Sequence, residues 1–233
     1  CERVLATATS AARDSQNGQA LVDLGKKYEI AIEIISGEKE AELTFEGSIE
    51  PSWHGTTAVI DVGGGSTEII LGTQDGILSR VSADVGSVRL TELCVTAHPI
   101  PVAEMVHIHE RVRLALSTAQ IRLANTRIDQ VVVVAGTPTT LAAVDLGQEF
   151  ESEKVHGHLF TLEKLELWID RLSKMSVIER QRLAGMEPKR ADVIVAGAIC
   201  VTEAIRVLGQ TQATVSVRGL RYGVAQWCAL RKA

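Results

Sequence analysis

The sequence predicts an α/β protein organised on a mixed sheet, and three features carry that expectation. Near the N-terminus a strand, a helix and a second strand follow one another as a βαβ unit. In the middle two strands flank three consecutive glycines. Further on, residues 131–134 are a continuous apolar run bounded by Asp129 and Gly136, the mark of a strand buried on both faces.

Taken in order, residues 4–8 are an apolar run short enough for a strand, followed by a polar loop holding Arg13 and Asn17. Ala20, Leu21, Leu24 and Tyr28 then share one face at helical spacing. Residues 30–35, rich in β-branched side chains and ended by Ser36-Gly37, read as the second strand. Residues 38–43 begin polar, and 45–51 read as a connection. Residues 57–62 and 69–71 are strands around Gly63-Gly64-Gly65, which makes them a hairpin, and a strand at 77–81 extends it into an antiparallel meander. Met105, Ile108, Val112, Ala115, Leu116 and Ala119 recur at three and four, so 102–123 is a long amphipathic helix. After the buried strand come a short helix at 139–146 and a helix with Leu162, Leu165, Ile169 and Leu172 on one face. A second turn and helix follow Ser176, and a long helix at 191–208 stops at Gly209. A strand at 214–217 and a terminal helix carrying Leu220, Val224 and Trp227 complete the chain.

At 233 residues the chain is one large domain or two small ones, taking about 150 residues per domain. Its 45% hydrophobic content fills a sizeable core. Lys and Arg total 24 against 29 Asp and Glu, a net charge of −5, and aromatics are 3%. That balance argues against a nucleic-acid partner, because there is neither a broad basic footprint nor much to stack on bases. An anionic ligand must instead be met locally, at a glycine loop or a helix N-terminus. No apolar run approaches the roughly 20 residues that span a bilayer, and no signal-peptide pattern opens the chain. The expectation is a soluble, cytoplasmic protein with no membrane partner. Cys1, Cys94, Cys200 and Cys228 lie far apart without CxxC or His pairing, which suits neither a zinc site nor a disulfide framework. The six histidines form no ligand pattern either. An opening on Cys1, directly into an apolar run, points to residues upstream of it.

Four segments carry chemistry. In Asp61-Val62-Gly63-Gly64-Gly65-Ser66-Thr67-Glu68 the glycines leave main-chain amides unshielded for a phosphate, and Ser66 and Thr67 add hydroxyls. Asp61 and Glu68 bracket the loop with carboxylates able to hold a hydrated Mg²⁺ or orient a water. A plain glycine turn is the bland alternative, and the paired acids and hydroxyls favour phosphate over it. In Ser36-Gly37-Glu38-Lys39-Glu40-Ala41-Glu42 the acids could supply a general base, but Ser36 followed by acids is also a helix N-cap, and spacing alone favours the cap. Arg13, just beyond a strand, could fork onto phosphate oxygens or be a surface ion pair. Residues 135–140, Ala-Gly-Thr-Pro-Thr-Thr, follow a strand and open a helix, which suits either an anion or a simple turn with proline near its start.

Together and in this order, residues 6–13, 34–41, 59–68, 85–93, 136–142, 190–197 and 215–223 resemble the Ppx/GppA phosphatase family, the exopolyphosphatases and guanosine pentaphosphate phosphohydrolases. The resemblance runs nearly end to end and is closest to the short form of the family. It implies an actin-like ATPase fold of two ribonuclease-H-like lobes over a phosphate cleft. The first lobe is then incomplete at residues 1–43, the second spans 44–217, and a C-terminal helix at 218–233 packs back on the first. It also implies that Glu40 is the catalytic base, where spacing alone favours a helix cap, and that Arg13 contacts the substrate phosphate. Gly63, Gly64, Gly65 and Ser66 become the phosphate loop, with Asp61 and Glu68 holding Mg²⁺.

The implied reaction is hydrolysis of a terminal phosphoanhydride of polyphosphate or guanosine pentaphosphate. The end phosphate would lie on the amides of Gly63 to Gly65. A homodimer is compatible with the apolar helices. A phosphotransferase of the same superfamily and a non-catalytic sensor of polyphosphate or guanosine phosphates are the rival readings. Three departures from the family pattern stand out. Its first phosphate loop, of Asp-Ile-Gly-Ser-Asn type, has no match here. Lys39 stands where an acid is expected, its side chain directed away from Glu40, and Tyr222 stands where Glu is usual.

Overall fold

The computed structural model describes residues 4–9, 12–13, 15–123 and 126–231. The expectation drawn from Cys1 lies outside them. The chain forms two compact units, one of residues 1–50 with 218–233 and one of Pro51–Val217.

The smaller unit begins with the βαβ arrangement: β1 (Ala6–Ala8), α1 (Gly18–Lys27) and β2 (Ile32–Ile34). The two strands pair in parallel, Ala6 opposite Ile32 and Ala8 opposite Ile34. The apolar side chains grouped by that spacing do not form a buried face: Leu21 and Leu24 of α1 and Tyr28 just after it are 40%, 48% and 70% exposed. The helix is buried instead at Gly18 and Gly25. A side chain at Gly25 would begin 2.6 Å from the Ile30 carbonyl oxygen and 2.8 Å from the Ile32 side chain, so α1 meets the sheet through its smallest residues. Helix α2 (Gly37–Ser48) follows, capped by the Ser36 hydroxyl, which accepts from the Lys39 N–H at 3.2 Å. It runs past the connection expected at 45–51, because Leu43 and Phe45 are fully buried. The first stretch of the smaller unit runs to Glu50.

The larger unit holds the meander β3 (Thr57–Val62), β4 (Thr67–Thr73) and β5 (Gly76–Ala83). Helices α3 (Ser87–Cys94) and α4 (Val102–Leu123) come next, then β6 (Gln130–Val134), α5 (Gly136–Leu146), α6 (Ser152–Val155) and β7 (Leu159–Thr161). The last elements are α7 (Leu162–Ser173), α8 (Val177–Gln181), α9 (Ile194–Val207) and β8 (Gln212–Val215). Ser176 and Glu179 close a capping box at the start of α8. Gly209, at φ +67, supplies the left-handed residue after α9. The sheet has the order β5-β4-β3-β6-β8-β7, with β3, β6 and β8 mutually parallel and the outer pairs antiparallel. Helix α9 is buried at every position from Ile194 to Ile205 and packs on α3, α4, α5 and α7, which explains its unbroken run of apolar and small residues. No helix among the described residues is long and apolar enough to cross a membrane.

One charge lies inside this helix packing. Glu203 of α9, 2% exposed, accepts from Arg113 at 3.0 and 3.2 Å and from Arg206 at 2.7 Å, and contacts His109 Nδ1 at 2.7 Å. Burial pushes its carboxyl up, but the hydrogen bonds from His109 and Arg113 outweigh burial and hold it below the ordinary carboxylate value. A lowered folded pKa stabilises the fold above the unfolded pKa, near 4.5, and that stability is lost as pH falls through the folded value. Glu203→Ala is expected to cost about 1–3 kcal/mol at pH 7, the penalty for stranding partly buried donors. Urea titrations at pH 7 and pH 3 check it, because the difference between variant and parent should shrink at the lower pH.

The last helix, α10 (Leu220–Leu230), returns to the smaller unit and packs on α2. Lys39 is drawn into this contact: its ammonium lies 4.9 Å from the centre of the Trp227 ring and 2.8 Å from Glu42. Arg231 stands 3.8 Å from the centre of the same ring and bonds Glu33. Tyr222 carries the Arg218 guanidinium 5.8 Å from its ring centre.

Candidate functional site

In the smaller unit, Arg13 and Glu40 are brought together although 27 residues separate them. One Arg13 nitrogen, Nη1, donates to Glu40 Oε2 at 2.8 Å and to the Ile35 carbonyl at 2.9 Å. The second bond ties the arginine to the end of β2, and Glu40 sits in the opening turn of α2. Both side chains remain about a quarter exposed, at 28% and 26%, so the pair is accessible to a ligand. Of the two readings of the Ser36 segment, the helix cap is present, with the Ser36 hydroxyl accepting from Lys39 N–H, and Glu40 in the same turn meets Arg13.

In the larger unit the glycine loop joins β3 to β4, with Asp61 directly opposite Glu68 in the ladder. Side chains at opposed positions lie on one face of the sheet, and two like charges there are destabilising unless something positive or hydrogen-bonding intervenes. Ser82 donates to Glu68 at 2.9 Å. No cluster of three metal-ligating side chains occurs among the described residues. Mg²⁺ does not require one, because it retains several waters and takes one or two carboxylates beside phosphate oxygens. Asp61 and Glu68 fit that donor set.

The loop itself is shaped from outside. The N–H groups of Ser87, Val88 and Arg89, the first turn of α3, donate to the carbonyls of Gly63 and Gly64 at 2.9–3.0 Å, and Arg89 Nε donates to the Gly65 carbonyl at 2.8 Å. In a trans peptide the following N–H points opposite to the carbonyl. The amides of Gly64, Gly65 and Ser66 therefore face away from α3, and none of them has an acceptor among the described residues. Such a run of amides can take an anion. The Gly63 N–H, in contrast, donates to the Ser66 carbonyl at 3.0 Å, closing the turn. None of the three glycines has a left-handed φ, so what they contribute is the absence of side chains over the amides. The Thr67 hydroxyl is also withdrawn, being fully buried and donating to the Val85 carbonyl at 2.6 Å. Beneath it lies Cys200, whose thiol burial pushes up to about 12, an inert packing group.

Gly86 makes the clasp between loop and helix possible, since a Cβ there would lie 2.5 Å from the Gly64 carbonyl oxygen and 2.7 Å from the Gly65 carbonyl carbon. Gly86→Ala must push the loop backbone aside. It is expected to weaken binding of inorganic phosphate about tenfold or more and to lower stability by about 1–3 kcal/mol. Calorimetric titration with phosphate, beside a urea melt, reads both effects.

The turn at 135–140 adjoins this region, because Asp61 of β3 is in register with Val134 of β6. Ala135 has φ +78, costing about 1–3 kcal/mol for a residue with a side chain. Arg190 lies flat over Gly136, so close that a Cβ there would sit 2.0 Å from the guanidinium carbon. Thr137 is buried against Gly197 of α9. Ser87, Arg89 and Arg190 fall in stretches that carry the family resemblance, 85–93 and 190–197, but none of the three was singled out individually. The local signal for the first two, a Gly-Ser following a strand, marks a turn but not what the turn holds.

The sequence profile of the Ppx/GppA phosphatase family matches residues 1–231. Exopolyphosphatase 2 of Mycobacterium tuberculosis is 38% identical over 242 aligned residues, covering 96% of this chain and 74% of that protein. Among solved structures, the Aquifex aeolicus member of the Ppx/GppA family superposes with a TM-score of 0.86 at 28% identity, covering 100% of this chain and 76% of the other. An exopolyphosphatase from Cytophaga hutchinsonii gives 0.85 at 30% identity, with 96% and 73% covered. The α/β architecture with a mixed sheet is thus that of solved members of this group.

Proposed function

This chain belongs to the Ppx/GppA phosphatase family, and on that premise we propose that it is a phosphohydrolase releasing the terminal phosphate of inorganic polyphosphate. The observation that carries the reading is the clasped loop, with three carbonyls held by α3 and Arg89 and three consecutive amides turned the other way. The amides of Gly64, Gly65 and Ser66 receive the terminal phosphate. Arg13 spends one nitrogen on Glu40 and Ile35, and its remaining donors are assigned to phosphate oxygens, where they offset charge that develops during transfer. Glu40 takes a proton from the attacking water. Asp61 and Glu68 would hold Mg²⁺, which when bound supplies further charge neutralisation at the phosphoryl group. Because phosphoryl transfer is mostly positioning and charge stabilisation, these groups suffice without a nucleophilic side chain. A cytoplasmic location belongs to the same reading.

Polyphosphate is put before guanosine pentaphosphate because two of the three relatives named above are exopolyphosphatases. The test is phosphate release, with Mg²⁺ present, from long-chain polyphosphate and separately from guanosine pentaphosphate. Faster release from polyphosphate is the expected result. Release from neither would overturn the reading in favour of a sensor.

A further inference from the structure

We propose that Arg89 is a substrate-binding residue whose guanidinium fork takes oxygens of a phosphate next to the one on the loop amides, so that the site selects a phosphate chain over a single phosphate. The inference rests on the phosphohydrolase reading and names the part of the substrate that the loop alone leaves unbound. Three observations lead to it. Arg89 is exposed, yet it is fixed at both ends, its main-chain N–H on the Gly64 carbonyl at 3.0 Å and its Nε on the Gly65 carbonyl at 2.8 Å. Its Nη2 lies 3.6 Å from where a Cβ on Gly65 would stand, which places the fork along the loop. Neither Nη has a carboxylate partner among the described residues. An arginine used for packing would bury its stem or pair its charge.

Here the side chain is immobilised through Nε and both terminal nitrogens are left as donors, the arrangement that lowers the entropy cost of gripping a phosphate. Loop amides bind one tetrahedral anion. A charged planar fork beside them adds a bidentate contact that only a second phosphate in the same molecule can use together with the first.

The experiment compares the full-length protein with Arg89→Gln, Arg89→Met and Arg89→Lys, titrating inorganic tripolyphosphate and, separately, orthophosphate by calorimetry. Glutamine keeps an amide N–H able to serve the Gly65 carbonyl, so it separates the charge from the loop support even if the methionine variant fails to fold. The expected result is a loss of about tenfold or more in tripolyphosphate affinity for Arg89→Gln, orthophosphate affinity within about threefold of the parent, and a smaller loss for Arg89→Lys. In turnover of long-chain polyphosphate, Arg89→Gln should raise KM by a larger factor than it lowers kcat, as for lost binding. Equal losses for both ligands would show a distorted loop and overturn the proposal, as would parental tripolyphosphate affinity in Arg89→Gln or a parent that binds neither ligand. A selective loss of tripolyphosphate binding in a protein that hydrolyses nothing would uphold Arg89 while removing the phosphohydrolase reading.

Discussion

Glu40→Gln is expected to lower the rate of phosphate release by about 10²–10⁴-fold, the usual worth of a general base, while leaving tripolyphosphate binding within a few-fold of the parent. The substitution is nearly isosteric, and its amide oxygen can still accept from Arg13 Nη1, which in the parent meets Glu40 Oε2 at 2.8 Å. The Ile35 carbonyl bond to Arg13 does not involve the changed atoms, so the arginine keeps its place. What disappears is the capacity to take a proton. Since binding is assigned to the loop amides and Arg13, the deficit should fall on kcat and not on KM. Steady-state kinetics on polyphosphate, with calorimetry for binding, separates these outcomes. A Glu40→Gln protein working near the parental rate would remove Glu40 from the chemistry and leave it as a partner of Arg13.

The second large effect is on stability. Gly47 of α2 and Gly223 of α10 let the two helix backbones nearly touch: a Cβ on Gly223 would lie 1.9 Å from the Leu43 carbonyl oxygen, and one on Gly47 would lie 2.2 Å from the Gly219 carbonyl oxygen. Both obstacles are main chain and cannot rotate away. Gly223→Ala therefore forces the helices apart, loosening the contacts that Trp227 makes with Lys39 and Arg231. The expected cost is about 3 kcal/mol, the upper end for overpacking, more than offsetting the better helix propensity of alanine, about 1 kcal/mol. Urea denaturation followed by tryptophan fluorescence measures it. Parental stability would mean that α10 does not dock on α2 as described.

Much of the larger unit was legible because its signals are local. The periodicity of Met105, Ile108, Val112 and Leu116 located α4, the apolar run at 131–134 located β6, and the glycine hairpin marked the meander. Each reports burial of consecutive residues against whatever lies alongside, and needs no knowledge of the partner. Where a segment depends on distant chain, the same reading fails. Residues 45–48 read as a connection because Gly47 makes sense only against Gly219 and Gly223, at the far end of the chain. Helix α3 went unseen because its first N–H groups are satisfied by loop carbonyls and not by a capping side chain. The apolar residues of α1 suggested a buried face, but close approach at Gly25 turned the helix otherwise.

The site divides in the same way. Residue types and their order were enough to single out Asp61, the glycines, Ser66 and Glu68, since a turn between paired strands is a local object. Arg13 and Glu40 were each individually ambiguous, because a lone arginine and an acid after a cap have ordinary uses. The 2.8 Å contact between them exists only once β2 and α2 fold back beside the first strand. The direction of the loop amides is also a product of tertiary structure. Glycine permits many orientations, and it is the distant first turn of α3, with Arg89, that seizes the carbonyls and turns the N–H groups of Gly64, Gly65 and Ser66 the other way.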